Sequence, residues 1–363
     1  MRALHVNTYI IGRSGSGKST LLHSLILDDN SGWTLLDPHG DLALAIADTA
    51  ACVYWDASSN IGFNPLADIS KGQRHLVAQQ VVSSFKAIWD ESWGPRLEWI
   101  LYNASLLCAD NNLSLLDLPT VLTDKAFRTQ CLRRSTYRPF WENEFAKWDD
   151  RYRNDAIAPV LNKVGQLCAD PTLQKILSHN SIDLKRLMDK QHRLVVNLSM
   201  AQFGETASAL LGSLLVSAFF YEAQTRATQH SFTLYVDEFH RFATESFSTI
   251  LAEARKRGLF VVLAHQFLDQ LPKGLRQGVF GNVKRFISFR VSGEDSPTVA
   301  KELGIPFPQE TSVLTSLSDF EYLDRKGAQF DRFTTKLPSP TLGRLRGNIR
   351  QTRAAYGQES RGV

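Results

Sequence analysis

Cysteine is scarce and unpatterned in this chain. Its four copies, Cys52, Cys108, Cys131 and Cys168, make no C-x-x-C pair and no zinc-ligand spacing. That excludes a disulfide framework and the common structural zinc modules, and makes a reducing cytoplasm the expected compartment. Long apolar runs are also missing. The best membrane candidate, Ala207 to Tyr221, is broken by Ser208, Ser213 and Ser217. It is shorter than a bilayer span requires and reads as a buried helix. No signal peptide is evident, because the first apolar run leads directly into a glycine-rich loop. An excess of one charge is lacking as well. Lys and Arg number 41 against 37 Asp and Glu, for a net charge of +4. Arg344, Arg346, Arg350, Arg353 and Arg361, with Glu359 the one acid after residue 338, account for all of it. The body of the chain is therefore not a wholly basic nucleic-acid-binding domain, and any grip on a polyanion must be local or come from the tail. Internal repeats are absent.

What is present is a glycine-rich loop in a defined setting. Gly12, Arg13, Ser14, Gly15, Ser16, Gly17, Lys18 and Ser19 satisfy G-x-x-x-x-G-K-[ST]. Thr8 to Ile11 before it suits a buried strand, and the apolar spacing from Thr20 to Leu27 suits a helix. Such a loop turns successive N–H groups toward one centre while the helix N-terminus adds positive potential, so the expected ligand is a nucleotide held by residues 12–20. Lys18 is expected at the β- and γ-phosphates and the Ser19 hydroxyl on Mg²⁺, making ATP and Mg²⁺ the expected cofactors.

Further short apolar runs, at Trp33 to Asp37, Ala51 to Trp55, Arg193 to Leu198, Ser231 to Val236, Leu259 to Ala264 and Arg285 to Val291, alternate with helical patterns. This is the signature of an α/β fold with a mainly parallel sheet covered on both faces. From about Gln73 to Lys190 helical periodicity replaces it, with Trp89, Trp93, Trp99, Phe140, Trp141, Phe145 and Trp148 concentrated there. The expected organisation is a P-loop NTPase domain in two parts, 1–72 and 192–338, interrupted by an all-α insertion domain at 73–191 and followed by a disordered basic tail at 339–363. Aromatic side chains in the insertion are read as packing of a small helical core rather than base-stacking platforms.

Hydrolysis needs more than a phosphate cradle. The strand before Asp237 and Glu238 ends in two carboxylates, of which Asp237 would hold a magnesium-bound water and Glu238 would orient and deprotonate the attacking water. A small-molecule kinase has no use for such a base. Gln266, at the end of the next strand, is a candidate γ-phosphate contact. Arg255, in the basic run Arg255-Lys256-Arg257 before Gly258, fits a helix-terminal cation and equally an arginine finger placed beside that edge for a neighbouring subunit's pocket. Asp37-Pro38-His39-Gly40-Asp41 reads as a turn, and His39 has no partner histidine at metal-binding spacing. Lys273, Arg276, Lys284, Arg285 and Arg290, with Gly274, Gly278 and Gly281 among them, suggest a partly mobile basic loop able to face a channel and grip phosphates, or simply a solvated one.

With these pieces assembled, the chain resembles the FtsK–HerA class of DNA-pumping ATPases, and within it the type IV secretion coupling proteins of the TraG/TraD kind. The matching motifs are GRSGSGKST, LLDPHGDLA, FNPL, the helical insert, YVDEF, EARKRGL and AHQFLDQL, in that order, over roughly residues 6–336. The resemblance implies a RecA-like core and a homohexamer threading DNA, single- or double-stranded, through its centre. It assigns Lys18 and Ser19 to nucleotide and Mg²⁺, Asp237 and Glu238 to the acidic pair, Arg255 to a finger acting across the subunit boundary, and Gln266 to a γ-phosphate sensor. The insert is similar to the all-α domain on the entry face of coupling-protein rings. The N-terminal transmembrane helices usual in that family are missing, so attachment to the inner membrane would come from a partner such as a relaxosome or anchoring secretion protein. Genome packaging, DNA processing, or a non-pumping ATP-controlled adaptor role remain open alternatives at this point.

Overall fold

The computed structural model describes residues 5–245, 247–306, 310–326, 329–336 and 342–356. Two compact units divide the chain. The first comprises residues 1–59, 184–204 and 219–363, and holds the sheet; the second comprises residues 60–183 and 205–218.

Among the described residues, nine strands form one sheet: β1 (Thr8–Ile11), β2 (Gly32–Asp37), β3 (Val53–Trp55), β4 (Arg193–Asn197), β5 (Phe232–Val236), β6 (Leu259–His265), β7 (Arg285–Ser288), β8 (Glu321–Lys326) and β9 (Gln329–Thr334). Their order is β3-β4-β2-β5-β6-β1-β7-β8-β9, parallel from β3 through β7 and antiparallel for β8 and β9. The run of β-branched and aromatic residues in β1, β2, β5 and β6 follows from burial on both faces, since every residue of β1, β2 and β5 is buried. The α/β sheet expected from the sequence is thus present. Its order also brings β5, β6 and β1 side by side, so three carboxyl ends distant in sequence meet at one edge.

Two expectations are corrected. The supposed mobile basic loop is largely the helix Lys273–Asn282, and Arg285 is no phosphate-gripping residue. Arg285 is 2% exposed and binds Asp324 through Nε at 2.8 Å and Nη2 at 2.5 Å, which ties β7 to β8. Removing one member of such a pair strands the other as an uncompensated buried charge, at a cost of about 3–5 kcal/mol. The tail, expected to be disordered, contains the helix Leu345–Tyr356. Leu345, Asn348, Ile349 and Thr352 share one face at helical spacing; the two apolar residues pack on the core while Arg346, Arg350 and Arg353 stay exposed. Asn348 Nδ2 donates to the carbonyls of Ala47 and Ala50 at 2.7 and 2.8 Å, and Thr352 Oγ1 accepts the Tyr54 N–H of edge strand β3 at 2.9 Å. The helix therefore satisfies backbone groups that an open edge would leave bare. Glu359 and Arg361 lie outside the described residues.

The second unit is helical. Among its helices are Arg74–Ile88, Pro95–Asp110, Lys125–Arg134 and Asp150–Ala169. It takes in residues 60–72, expected from the strand pattern to lie with the nucleotide-binding domain. Local bonding explains this: Phe63 N donates to Ile176 O at 2.7 Å, and Asn64 Nδ2 to Leu113 O at 3.2 Å. Phe140, Trp141, Phe145 and Trp148 pack ring against ring, with centroids 4.9–5.9 Å apart. These side chains supply a core, as their clustering suggested. The helix Glu205–Thr225 is long and apolar enough by composition to cross a membrane, yet 78% of its most apolar window is buried.

Candidate active site

The glycine-rich loop runs from the end of β1 into the helix Lys18–Asp28. Gly17 has φ 109°, a conformation that side chains rarely adopt, and a Cβ there would also meet the Phe320 ring at 2.9 Å. A Cβ on Gly12 would lie 2.5 Å from that of Phe289. The loop is pinned from both sides: Arg13 N donates to Arg290 O at 2.9 Å, and Phe320 N to Ser16 O at 2.8 Å. Phe320 itself sits at φ 68°, an uncommon conformation for an aromatic residue. Lys18 Nζ donates to the carbonyls of Gly12 and Arg13, at 2.7 and 3.1 Å, folding its ammonium back over the loop. Burial lowers the Lys18 pKa, opposed by Glu238 and then Asp237.

Asp237 follows β5 and faces the loop. Ser19 Oγ donates to Asp237 Oδ2 at 3.4 Å, so the hydroxyl and carboxylate expected to share a magnesium ion are adjacent. Burial, then the carboxylates of Asp37 and Glu238, push Asp237 up to about 7. A divalent cation reverses that logic by favouring the ionised form. Asp37, at the end of the neighbouring β2, accepts the N–H groups of His39 at 2.9 Å and Ala43 at 2.9 Å, so the DPHGD segment is a turn capped by its own first acid. The His39 side chain is exposed, and no group of three metal-ligating side chains occurs among the described residues.

Glu238 has φ 46°, a left-handed bend immediately after the strand. Its backbone N–H donates to Asp237 Oδ1 at 3.0 Å, and its Oε1 accepts Gln266 Nε2 at 2.8 Å. The carboxylate is 5% exposed. Lys18, Ser19, Asp237, Glu238 and Gln266 are thus brought to one edge, at the carboxyl ends of β1, β5 and β6. Their types fit a Mg²⁺-bound nucleoside triphosphate: a loop of backbone donors, an ammonium, a hydroxyl and carboxylate for the metal, and a second carboxylate with no role in the cradle.

Arg255 is not beside this edge. It lies in the turn Arg255–Arg257, before β6, at the amino end of the seven-residue strand whose carboxyl end leads into Gln266. The two ends of such a strand are separated by about 23 Å. The chain direction decides this, because the helix Phe247–Ala254 carries the backbone back across the sheet before β6 begins. Arg255 is exposed there and does not join its own subunit's site.

Residues not singled out from the sequence complete the edge. His265 is fully buried; its Nε2 is paired with the Tyr9 hydroxyl, and its Nδ1 lies 3.1 Å from Gln270 Oε1. Burial lowers its pKa to about 3. Gln270 and His240 follow it in the same layer. No spacing rule marks them; only proximity to Glu238 does.

No protein-family model matches the sequence, and a search of curated proteins finds no match. Solved structures do match. The bacterial conjugative coupling protein TrwBΔN70 aligns with TM-score 0.68 at 15% identity, over 93% of this chain and 86% of that one. TrwB in complex with ADP and Mg²⁺ aligns with TM-score 0.68 at 16% identity, covering 92% and 86% of the two chains. VirB4 of Thermoanaerobacter pseudethanolicus gives 0.67 at 14% identity, with 92% and 89% covered. These identities carry the fold. The chain therefore has a RecA-like P-loop fold, the architecture it shares with the coupling protein TrwB and with VirB4.

Proposed function

We propose that this protein is a Mg²⁺-dependent ATPase that assembles into a homohexameric ring and moves DNA, as a coupling-protein-like motor of conjugative or type IV transfer. One observation carries the reading: Lys18, Ser19, Asp237, Glu238 and Gln266, spread over 249 positions of sequence, converge at the carboxyl ends of three adjacent strands, with Ser19 on Asp237 and Gln266 on Glu238. The loop and Lys18 would hold the triphosphate, and Ser19 and Asp237 would hold the metal, which would neutralise charge on the phosphates. Glu238 orients the attacking water and takes its proton. Gln266, released from Glu238, contacts the γ-phosphate and senses its loss. Arg255, exposed at the opposite end of β6, is assigned to a neighbouring subunit's pocket, which its distance from its own site favours. The fold shared with TrwB and VirB4 supports the DNA-transfer reading, as does the basic face of the helix Leu345–Tyr356.

The test is ATP hydrolysis with and without single- and double-stranded DNA, for wild type and Glu238→Gln, beside a mass measurement under nucleotide. Turnover stimulated by DNA and reduced about 10²–10⁴-fold in Glu238→Gln, with nucleotide binding retained, is the expected result. A protein that stays monomeric with ATP and DNA, or hydrolyses without regard to DNA, refutes the motor.

A further inference from the structure

Glu238 Oε2, the carboxylate oxygen not taken by Gln266, is buried and has no hydrogen-bond partner. His240 Nδ1 lies 3.4 Å from it, likewise without a hydrogen-bond partner. What this pair does depends on which ring nitrogen of His240 carries the proton. The surroundings decide that through Gln270.

Three donors converge on Gln270 Oε1: Gln266 N at 3.0 Å, Phe267 N at 3.0 Å and His265 Nδ1 at 3.1 Å. Two of them are backbone N–H groups, which can only donate, so this end of the amide must be the oxygen. The amide NH₂ is thereby turned the other way, where it lies 3.3 Å from His240 Nε2. An NH₂ donates, so that ring nitrogen accepts, and the imidazole proton must sit on Nδ1, the nitrogen 3.4 Å from Glu238 Oε2. The same logic continues inward. His265 donates from Nδ1 to Gln270, leaving its Nε2 to accept from the Tyr9 hydroxyl.

We propose that Gln270 is a positioning residue for hydrolysis: by fixing the Nδ1–H tautomer of His240 and the backbone of Gln266 at once, it sets both groups that flank the Glu238 carboxylate. This rests on the reading of Glu238 as the water-activating base. Glu238 then accepts the Gln266 amide at Oε1, while the protonated Nδ1 of His240 stands 3.4 Å from Oε2, close enough to supply a donor once the site closes on nucleotide. The chain Tyr9, His265, Gln270, His240, Glu238 links β1, which leads into the phosphate loop, to the ends of β6 and β5.

Gln270→Glu separates this role from support of the fold. A carboxylate still accepts the two backbone N–H groups but cannot donate to His240 Nε2, so it draws the proton to that nitrogen. The readout independent of activity is the pair of imidazole ¹⁵N shifts of His240 in histidine-labelled protein, assigned with His240→Ala. Expected is a protonated Nδ1 and bare Nε2 in wild type, reversed in Gln270→Glu; a wild-type proton on Nε2 overturns the proposal. In turnover, Gln270→Glu should lower kcat about ten- to a hundredfold. Its KM for ATP should stay within about twofold of wild type, the split expected of a lost transition-state arrangement. The double variant with His240→Ala should lose no more than His240→Ala alone, because the two residues act through one contact. Wild-type kcat in Gln270→Glu, or additive losses, overturns the proposal. Failure of the parent reading looks different: there Glu238→Gln itself keeps wild-type turnover, and the tautomer measurement still decides the arrangement.

Discussion

His265 makes a quantitative claim on the fold. Its imidazole lies between β1 and the end of β6, 0% exposed, with its pKa lowered from the ordinary 6.5 to about 3 by burial. The folded protein therefore refuses a proton that the unfolded chain accepts. With the folded pKa depressed, the contribution of His265 to stability is complete above 6.5 and is lost as pH falls toward 3. Between pH 7 and pH 5 the unfolded chain gains the proton over about 1.5 units while the folded one does not, which at about 1.36 kcal/mol per unit destabilises the sheet unit by about 2 kcal/mol. Asp237 acts in the opposite sense. Its folded pKa is raised from 3.8 to about 7, so its contribution is present at low pH and lost as pH rises through 7, and it offsets His265 over the same window. Comparing wild type with His265→Gln at both pH values removes that offset, since Asp237 is common to both. The measurement is unfolding in urea, read by pulsed hydrogen exchange in peptides spanning β5 and β6, which report this unit by itself. The expected double difference is about 2 kcal/mol, the wild type losing more on acidification. Parallel behaviour of the two proteins would refute the argument, because it would mean that the ring is protonated in the folded state.

Metal binding should carry a proton signature. Calorimetry of MgADP binding in buffers of different ionisation enthalpy should show proton release from Asp237 below pH 7, and Mg²⁺ affinity should rise with pH up to that point; buffer-independent heats would count against Asp237 as the ligand. Arg255→Ala should abolish turnover while leaving nucleotide binding intact, and mixing it with a Lys18→Ala subunit should restore part of the activity, as a finger acting across a boundary requires; rings without rescue would remove the assignment. Asn348→Ala should destabilise the sheet unit by about 1–3 kcal/mol, because the carbonyls of Ala47 and Ala50 lose a buried donor. Unchanged urea midpoints in that variant would mean that the helix Leu345–Tyr356 contributes nothing to the edge it covers.

Local pattern decided much of this protein. The phosphate loop needs only a turn, glycines and a helix start, all contiguous, and the acidic pair needs only a buried strand that ends. Both are statements about neighbours in sequence. The tail shows where such reading misleads. Its Arg, Gly, Ser and Pro content argued for disorder, whereas Leu345, Asn348, Ile349 and Thr352 repeat at helical spacing; the spacing prevailed because a face of the sheet unit was there to receive it. Arg255 misled in another way. A basic run next to a strand says nothing about which end of the sheet it occupies until the return path of the preceding helix is known.

Sequence alone therefore determined the kinds of group available: phosphate cradle, metal hydroxyl, carboxylates and amide. Only the tertiary structure decided which of them meet. Strand order is set by burial competing across the whole chain, so β5 falls next to β6 and β6 next to β1 although 247 residues lie between the end of β1 and the start of β6. The Glu238, His240, Gln270, His265 and Tyr9 chain follows from that order, because a hydrogen bond recognises distance and direction in space and is indifferent to position along the chain.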